Sequence, residues 1–478
     1  MNRSKANEYI ADNFLADADQ FGVNSMYVGE KITDGQNTGE LAIVYTVVKK
    51  IRPQQLHPSR IIPSHVDIDG VRVDTDVIEQ HIEYEFENDL CHNINDAAGR
   101  EMIMKNRQLP RTVTSSGQRT YDVTRHPGMT CMNLTQSLEY KHTHGMSNIF
   151  KGIQLGTLGI FARDDQDGRL VALSNNHVLT PGFVTADKQA NRSINYKDHV
   201  VVSPGDDQNI EGTSVQTGFM TRLGVTVLDG VQYKIGDVKR SWPLQTLGNE
   251  IDAAICSITI DHDTTGDKAI TSESHVPVGM DINYSMEWAT TSEIDDLVLG
   301  VHGNALFKTG YASGAVGSPV ALTDKDCELY TAGTGFVGFV SGKQFKNIIQ
   351  YKGKNGVDPS AGGDSGSPLC ALIGNTWKLI GIHFAGGRDR NTGEHHALAC
   401  RIDKIADTLK ISRWDGTNVT TSDVDNYSTV PKPKYAIVSG WNGNPTIEID
   451  GKTYYQTGRT GENITHRINP DTGDVTPV

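Results

Sequence analysis

The sequence predicts a mainly β protein, a sandwich or barrel, and three observations carry that prediction. The chain holds 49 glycines against 17 prolines, an excess that suits tight turns and bulges with positive φ. Short β-branched runs recur through its middle without long helical patterns between them. Hydrophobic residues make up 37% of the chain, enough for packed cores. At 478 residues, a prior of about 150 residues per domain suggests roughly three units.

The first unit, an α+β region, covers 1–145. Leu41–Val48 and Val71–Ile82 read as strands, separated by a loop that Pro53, Pro58 and Pro63 interrupt. From Glu87 to about Arg125 the pattern is polar and reads as loop, with one helix near Asp96–Lys105. The second unit, 146–412, carries the short runs: Gly156–Phe161, Leu170–Leu173, Ala253–Ile258, Thr334–Val340 and Leu379–Ile382. Ile402, Ile405 and Leu409 recur at helical spacing and predict one amphipathic helix. A polar linker, 413–433, leads to a small β module, 434–478. There Tyr435–Ser439, Pro445–Asp450 and Lys452–Tyr455 read as strands, the last two joined by a turn at Asp450-Gly451. A module of that size without cysteine or metal is marginal alone and is expected to dock on a neighbour or another subunit.

A formal net charge of −14 excludes the basic footprint that nucleic-acid binding requires. The six cysteines show no CxxC spacing, which argues against a zinc cluster or a dense disulfide framework. Cys370 and Cys400 are the pair most open to meeting on adjacent strands. The N-terminus lacks the apolar core of a secretory signal, and no run of about 18 apolar residues occurs. The expected location is cytoplasmic or virion-associated, with no membrane contact.

The strongest local signal is Gly362-Gly-Asp-Ser-Gly-Ser-Pro-Leu369. Glycines around a serine let the backbone fold tightly enough to aim successive N–H groups at one developing oxyanion. The serine needs a base to act as a nucleophile near neutral pH. His177, in Ser174-Asn-Asn-His-Val-Leu179, follows an apolar strand and is flanked by small and polar residues. The base in turn needs a buried acceptor to fix its tautomer. Asp252, in Glu250-Ile-Asp-Ala-Ala-Ile-Cys-Ser-Ile258, heads an apolar run; Glu250 is the weaker competitor.

These motifs, in the order His177, Asp252, Ser365, resemble the chymotrypsin-fold, or trypsin-like, serine peptidases. Leu306-Phe-Lys-Thr-Gly-Tyr-Ala-Ser-Gly314 is similar to a hairpin of bacterial members, and Leu379-Ile-Gly-Ile-His-Phe-Ala-Gly-Gly387 resembles the strand lining their specificity pocket. Asp69–Ile78 is similar to a segment that precedes the peptidase domain in bacterial and phage proteins. The resemblance implies two six-stranded antiparallel β-barrels over the second unit. It implies a catalytic triad of His177, Asp252 and Ser365, with the oxyanion held by the backbone of Gly363 and Ser365. His383, Phe384, Ala385 and Gly386 would line the specificity pocket. His383 resembles the histidine of glutamyl endopeptidases and of viral proteases that cut after glutamine, so a preference for Glu or Gln before the scissile bond follows. Pro359, six residues before Ser365, argues against an aspartate-floored pocket, although Asp358 is adjacent.

Longer spacings than in compact members place insertions around 183–245 and 262–300. By resemblance to digestive zymogens Asp364 would pair with a free N-terminus, which here would need internal cleavage; the alternative is that it stabilises its turn locally. No cofactor or metal is expected, since His142, His144, His395 and His396 lack the carboxylate or cysteine context of a site. The expected partner is a protein or peptide substrate, with the terminal regions available to a second copy or an assembly partner. The competing reading is a structural or assembly protein of phage type that keeps a peptidase fold as scaffold and at most cleaves itself. An α/β-hydrolase is contradicted by the order of the triad.

Overall fold

In the computed structural model the described residues are 2–33, 36–80, 111–113, 119–121, 126–133, 156–180, 200–202, 225–228, 234–260, 273–276, 280–316, 329–354, 356–388 and 393–417, with short strands at 425–426, 435–438, 446–449, 452–455, 466–468 and 475–477. The expected helix near 96–105, Cys91, Cys327, His142, His144, the Asp450-Gly451 turn and much of both expected insertions lie outside them.

Helix α1 (Arg3–Phe21) opens the chain, and the sequence reading does not assign it. The Asn2 side chain accepts the Lys5 N–H at its start, and Gly22, at φ 73°, closes it. It buries only Ala6, Ile10 and Phe14, a stripe too narrow to stand out against its polar surroundings. Strands β1 (Val23–Thr33) and β2 (Gln36–Val47) form an antiparallel pair. β3 (His65–Ile68) and β4 (Val71–Glu79) form a hairpin, and β4 runs parallel to β2.

The first of two large sheets uses β5 (Thr130–Asn133), β6 (Gly156–Thr157), β7 (Ile160–Asp164), β8 (Leu170–Ser174), β9 (Val200–Val202), β10 (Lys234–Ser241) and β11 (Ala254–Ser257). With Ile411–Arg413 these make eight strands in the order Ile411–Arg413, β7, β8, β11, β10, β9, β5, β6. β6 runs on through Leu158 and Gly159 into β7. Thr130–Asn133, which the sequence reading places in the N-terminal region, is therefore a strand of this sheet.

The second sheet is built on β12 (Ala305–Gly310), β13 (Gly314–Val316), β14 (Leu329–Val340), β15 (Lys343–Gly353), β16 (Pro368–Ile373), β17 (Thr376–Arg388) and β18 (His395–Arg401). Its eleven strands run β13, β12, β16, β17, β18, β15, β14, β1, β2, β4, β3. β12 also pairs with β14, so β12, β16, β17, β18, β15 and β14 form a closed cycle of antiparallel pairs. The N-terminal strands thus extend this sheet: Ser25 faces Gly338 and Gly29 faces Gly333 across β1 and β14.

The fold is mainly β, as the glycine excess and short runs predict. Ile160, Leu173 and Ile255 of the first sheet share one apolar core with Leu306, Ile380 and Leu398 of the second. The predicted amphipathic helix is α2 here (Ile402–Leu409), which buries Ile402, Ile405 and Leu409 and returns the chain to the first sheet. Cys370 and Cys400 do not sit on adjacent strands: β17 lies between β16 and β18, and both thiols are free and buried. In the C-terminal module the expected strands are present at Tyr435–Val438, Thr446–Ile449 and Lys452–Tyr455, the last two as a hairpin.

Candidate active site

β8 ends at Ser174, and one short helical turn, Asn176–Leu179, follows at once. The Thr180 hydroxyl bonds the Asn176 carbonyl at 2.9 Å, and Asn133 of β5 donates to the Leu179 carbonyl at 2.7 Å. This turn carries His177, which is buried. Its backbone N–H donates to Asp252 Oδ1 at 3.1 Å, and its Nδ1 lies 2.5 Å from Asp252 Oδ2. Both carboxylate oxygens therefore grip one residue, and the imidazole cannot rotate without losing a charge-assisted hydrogen bond.

Asp252 is itself buried, just ahead of β11. Asn175 donates to its carbonyl at 2.6 Å, and its N–H reaches Cys400 Sγ at 3.1 Å. Burial, with Asp252 close by, pushes the Cys400 thiol well up, so it remains a neutral packing group. Glu250 is elsewhere: it accepts from Asn347 at 2.5 Å and lies 4.0 Å from Lys346.

Ser365 lies in the turn that enters β16 and is buried. Gly363 and Gly366 both adopt φ 100°, a region L side chains rarely enter, which is why glycine flanks this serine. Ser365 and the His177 turn converge on β6. A β-carbon on Gly156 would lie 2.4 Å from Val178 and 2.9 Å from the Ser365 carbonyl, so only glycine lets the two segments come this close. The Thr157 N–H donates to the Ser365 carbonyl at 2.7 Å.

Asp364 is fully buried opposite Lys308 of β12, Oδ2 to Nζ 2.5 Å. Its Oδ1 accepts the N–H groups of Ala312 and Ser313 at 3.0 and 2.9 Å, and its Oδ2 accepts that of Ala361 at 3.0 Å. Burial alone would raise its carboxyl, but the Lys308 ammonium outweighs it and holds the group below the ordinary carboxylate range. The partner of Asp364 is thus an internal lysine, and the turn is neutralised without a cleaved N-terminus. Lys308 lies inside the hairpin motif that the sequence marks, but nothing in the sequence assigns it this partner.

β17 brings His383, Phe384 and Ala385 beside the serine turn, all buried. The Gly366 N–H donates to the His383 carbonyl and the His383 N–H to the Ser367 carbonyl, both at 2.9 Å. The Tyr351 hydroxyl lies 2.9 Å from His383 Nδ1 and fixes the ring from β15. Tyr351 has no motif and the sequence reading misses it; only the pairing of β15, β18 and β17 brings it there. Asp358 lies 3.4 Å from His395 Nδ1, and Glu394 lies 3.9 Å from His396 Nε2. Each of these two histidines thus has one carboxylate nearby. Among the described residues no group of three or more His, Cys, Asp or Glu side chains is arranged to hold a metal ion, and no helix is long and apolar enough to cross a membrane.

No protein-family model and no curated protein matches the chain. Several solved structures are similar to it, and they are serine proteases. Thermobifida fusca protease A is 12% identical over 54% of this chain and 90% of its own, with a TM-score of 0.30. Cellulomonas bogoriensis chymotrypsin is 13% identical over 62% of this chain and 100% of its own, with a TM-score of 0.31. A glutamic-acid-specific serine protease described as using a histidine triad in substrate binding is 12% identical over 61% and 100%, with a TM-score of 0.33. Likeness of this degree adds nothing to what the residues of the site themselves display.

Proposed function

We propose that the chain is a serine endopeptidase, built on two six-stranded barrels of chymotrypsin type, with His177, Asp252 and Ser365 as its triad. The observation that carries the reading is buried His177, whose imidazole Nδ1 lies 2.5 Å from one oxygen of buried Asp252 while its backbone N–H donates to the other at 3.1 Å, beside a glycine-flanked serine turn. The closed cycle of six strands supports the barrel reading for the second half.

As the Ser365 oxygen bonds to the substrate carbonyl carbon, its proton passes to His177 Nε2. Asp252 holds Nδ1–H and supports the imidazolium electrostatically. The negative charge on the former carbonyl oxygen is taken by the N–H groups of Gly363 and Ser365. Loss of one such donor costs roughly 100- to 1000-fold in rate. Collapse breaks the C–N bond, and His177 returns the proton to the leaving amine. Water then attacks the acyl-enzyme, giving His177 a proton that passes to Ser365 as the ester breaks.

We assign the specificity pocket to His383, Phe384, Ala385 and Gly386 by the resemblance of their strand, and the Tyr351 hydroxyl orients the His383 ring. An imidazole at its wall suits a Glu or Gln side chain before the scissile bond. Cleavage of a peptide library mainly after Lys, Arg or large apolar residues would reject this preference.

Intact-mass detection of fluorophosphonate labelling tests the activity itself. One adduct on the wild type, absent from Ser365→Ala, is the expected result; an unlabelled wild type would sink the reading. The second reading, an assembly scaffold restricted to self-cleavage, draws support from the continuity of β1 with β14. Rapid turnover of an unrelated protein would exclude it.

A further inference from the structure

Thr157 belongs to no catalytic motif, yet its atoms join the three segments that build the site. It is fully buried on β6. Its N–H donates to the Ser365 carbonyl at 2.7 Å, and its hydroxyl donates to the Gly363 carbonyl at 2.9 Å. The same hydroxyl accepts the Tyr311 N–H at 2.9 Å, from the turn between β12 and β13. Its own carbonyl accepts the Ser174 hydroxyl at 2.7 Å, three residues ahead of His177. One residue of the first sheet thus ties the histidine segment, the serine turn and the Lys308 hairpin together.

The chemistry depends on one of these bonds more than the rest. Gly363 sits at φ 100°, a conformation in which glycine has no side chain to resist rotation of the adjoining peptides. Asp364 is anchored on its far side by Lys308, Ala312 and Ser313. On the near side, the Gly363 carbonyl accepts the Thr157 hydroxyl. A threonine hydroxyl has one proton to give and lone pairs to receive. Spending the proton on Gly363 and a lone pair on Tyr311 fixes the rotor in one orientation.

We infer that Thr157 is a positioning residue for the oxyanion turn, whose hydroxyl pins the Gly363–Asp364 peptide and so sets the two peptides on either side of it, from which the N–H groups of Gly363 and Ser365 reach the developing charge. The inference rests on the peptidase reading above. Because the donors must be aimed before charge develops, the effect falls on the transition state and not on the bound substrate.

The test compares wild type, Thr157→Val, Thr157→Ser and Thr334→Val on one peptide substrate, with fluorophosphonate labelling of Ser365 measured alongside. Valine keeps the shape and removes the hydroxyl; Thr334 is a buried threonine of β14 outside the site. In Thr157→Val, kcat should fall about tenfold or more, short of the roughly 100- to 1000-fold for a lost donor, with KM within about twofold. Affinity for a peptide aldehyde, which forms a tetrahedral adduct, should fall in step with kcat/KM. Thr157→Ser should restore most of kcat, and Thr334→Val should match wild type. If the valine variant does not fold, Thr157→Ala removes the same hydroxyl with less bulk. A labelled wild type together with full kcat in the folded variant overturns the inference alone. So does a loss shared between kcat and KM that serine does not restore. An unlabelled wild type removes the peptidase reading and this inference with it.

Discussion

At the scale of single residues, the Lys308–Asp364 pair shows how a buried charge is kept and what it costs to break. Neither side chain is exposed, so removing one partner leaves the other charged without solvent. Lys308→Met should therefore destabilise the protein by about 3–5 kcal/mol near neutral pH, read from chemical denaturation. The pH dependence follows from the direction of the Asp364 shift. A carboxyl held below its unfolded value of about 3.9 stabilises the fold above that pH and loses the contribution as pH falls through the depressed folded value. In the variant burial is opposed only by hydrogen bonds such as those from the Ala312, Ser313 and Ala361 N–H groups, the carboxyl rises, and protonation relieves the penalty. The gap between wild type and Lys308→Met should narrow as pH is lowered towards about 4; a gap independent of pH would contradict the pairing. At this scale the sequence reveals what is chemically rare. Gly-Asp-Ser-Gly and the strand-end His177 are visible because the proposed chemistry would restrict both residue type and neighbours. Lys308, Thr157 and Tyr351 are ordinary residues, and only pairing 56, 206 and 32 positions away gives them meaning.

At the scale of elements, the polar contact beneath β15 and β18 is the most informative. Tyr351 and Gln350 alternate along β15, so one faces His383 and the other faces the N-terminal strands. Gln350 Nε2 lies 2.7 Å from His396 Nδ1 and 3.5 Å from the Gln80 side-chain oxygen, all three residues buried. Burial, followed by Lys352 and His395, drives the His396 ring well below its ordinary range, so it stays neutral in the fold. Below about pH 6.5 the unfolded chain gains a proton that the folded chain refuses, and stability declines as pH falls, by up to about 1.4 kcal/mol per pH unit. His396→Gln keeps an acceptor for Gln350 and removes the titration. Denaturation midpoints at about pH 7.5 and 5.5 should separate more for wild type than for the variant. Equal separation would mean that His396 titrates normally. Elements of this kind are only partly legible in a sequence. α2 is plain because Ile402, Ile405 and Leu409 repeat on a short, strongly two-sided helix. α1 is not, because its three buried residues sit among polar ones and Phe339, on which the Phe14 ring packs, lies over 300 positions away.

At the scale of the whole molecule, the N-terminal region is part of the second sheet and not a leader laid against it. Gly29 of β1 faces Gly333 of β14, and the Tyr27 ring lies over this pair. A β-carbon on Gly333 would come within 2.4 Å of that ring, so the absence of side chains there creates the slot. Tyr27 then stacks on Phe336, with ring centroids 6.4 Å apart. Below the sheet, Ile10, Phe14 and Met26 share a core with Leu299 and Val337 of the second half. Alternation alone could not reveal this continuity, because β1 and β14 each read as an ordinary strand and the register is set by contacts across the chain. The arrangement predicts that the region stays attached after the chain is cut. With a site for a sequence-specific protease inserted between residues 81 and 125, cleaved protein should elute from a sizing column as one species under native conditions. Gly333→Val should close the slot and displace Tyr27 from Gln350, so that its fragments separate. Fragments of the otherwise unaltered chain that part on cleavage would show that β1 is held only by its covalent link. Fragments that stay together in the valine variant would place the decisive contacts in the core around Phe14 instead of the Tyr27 slot.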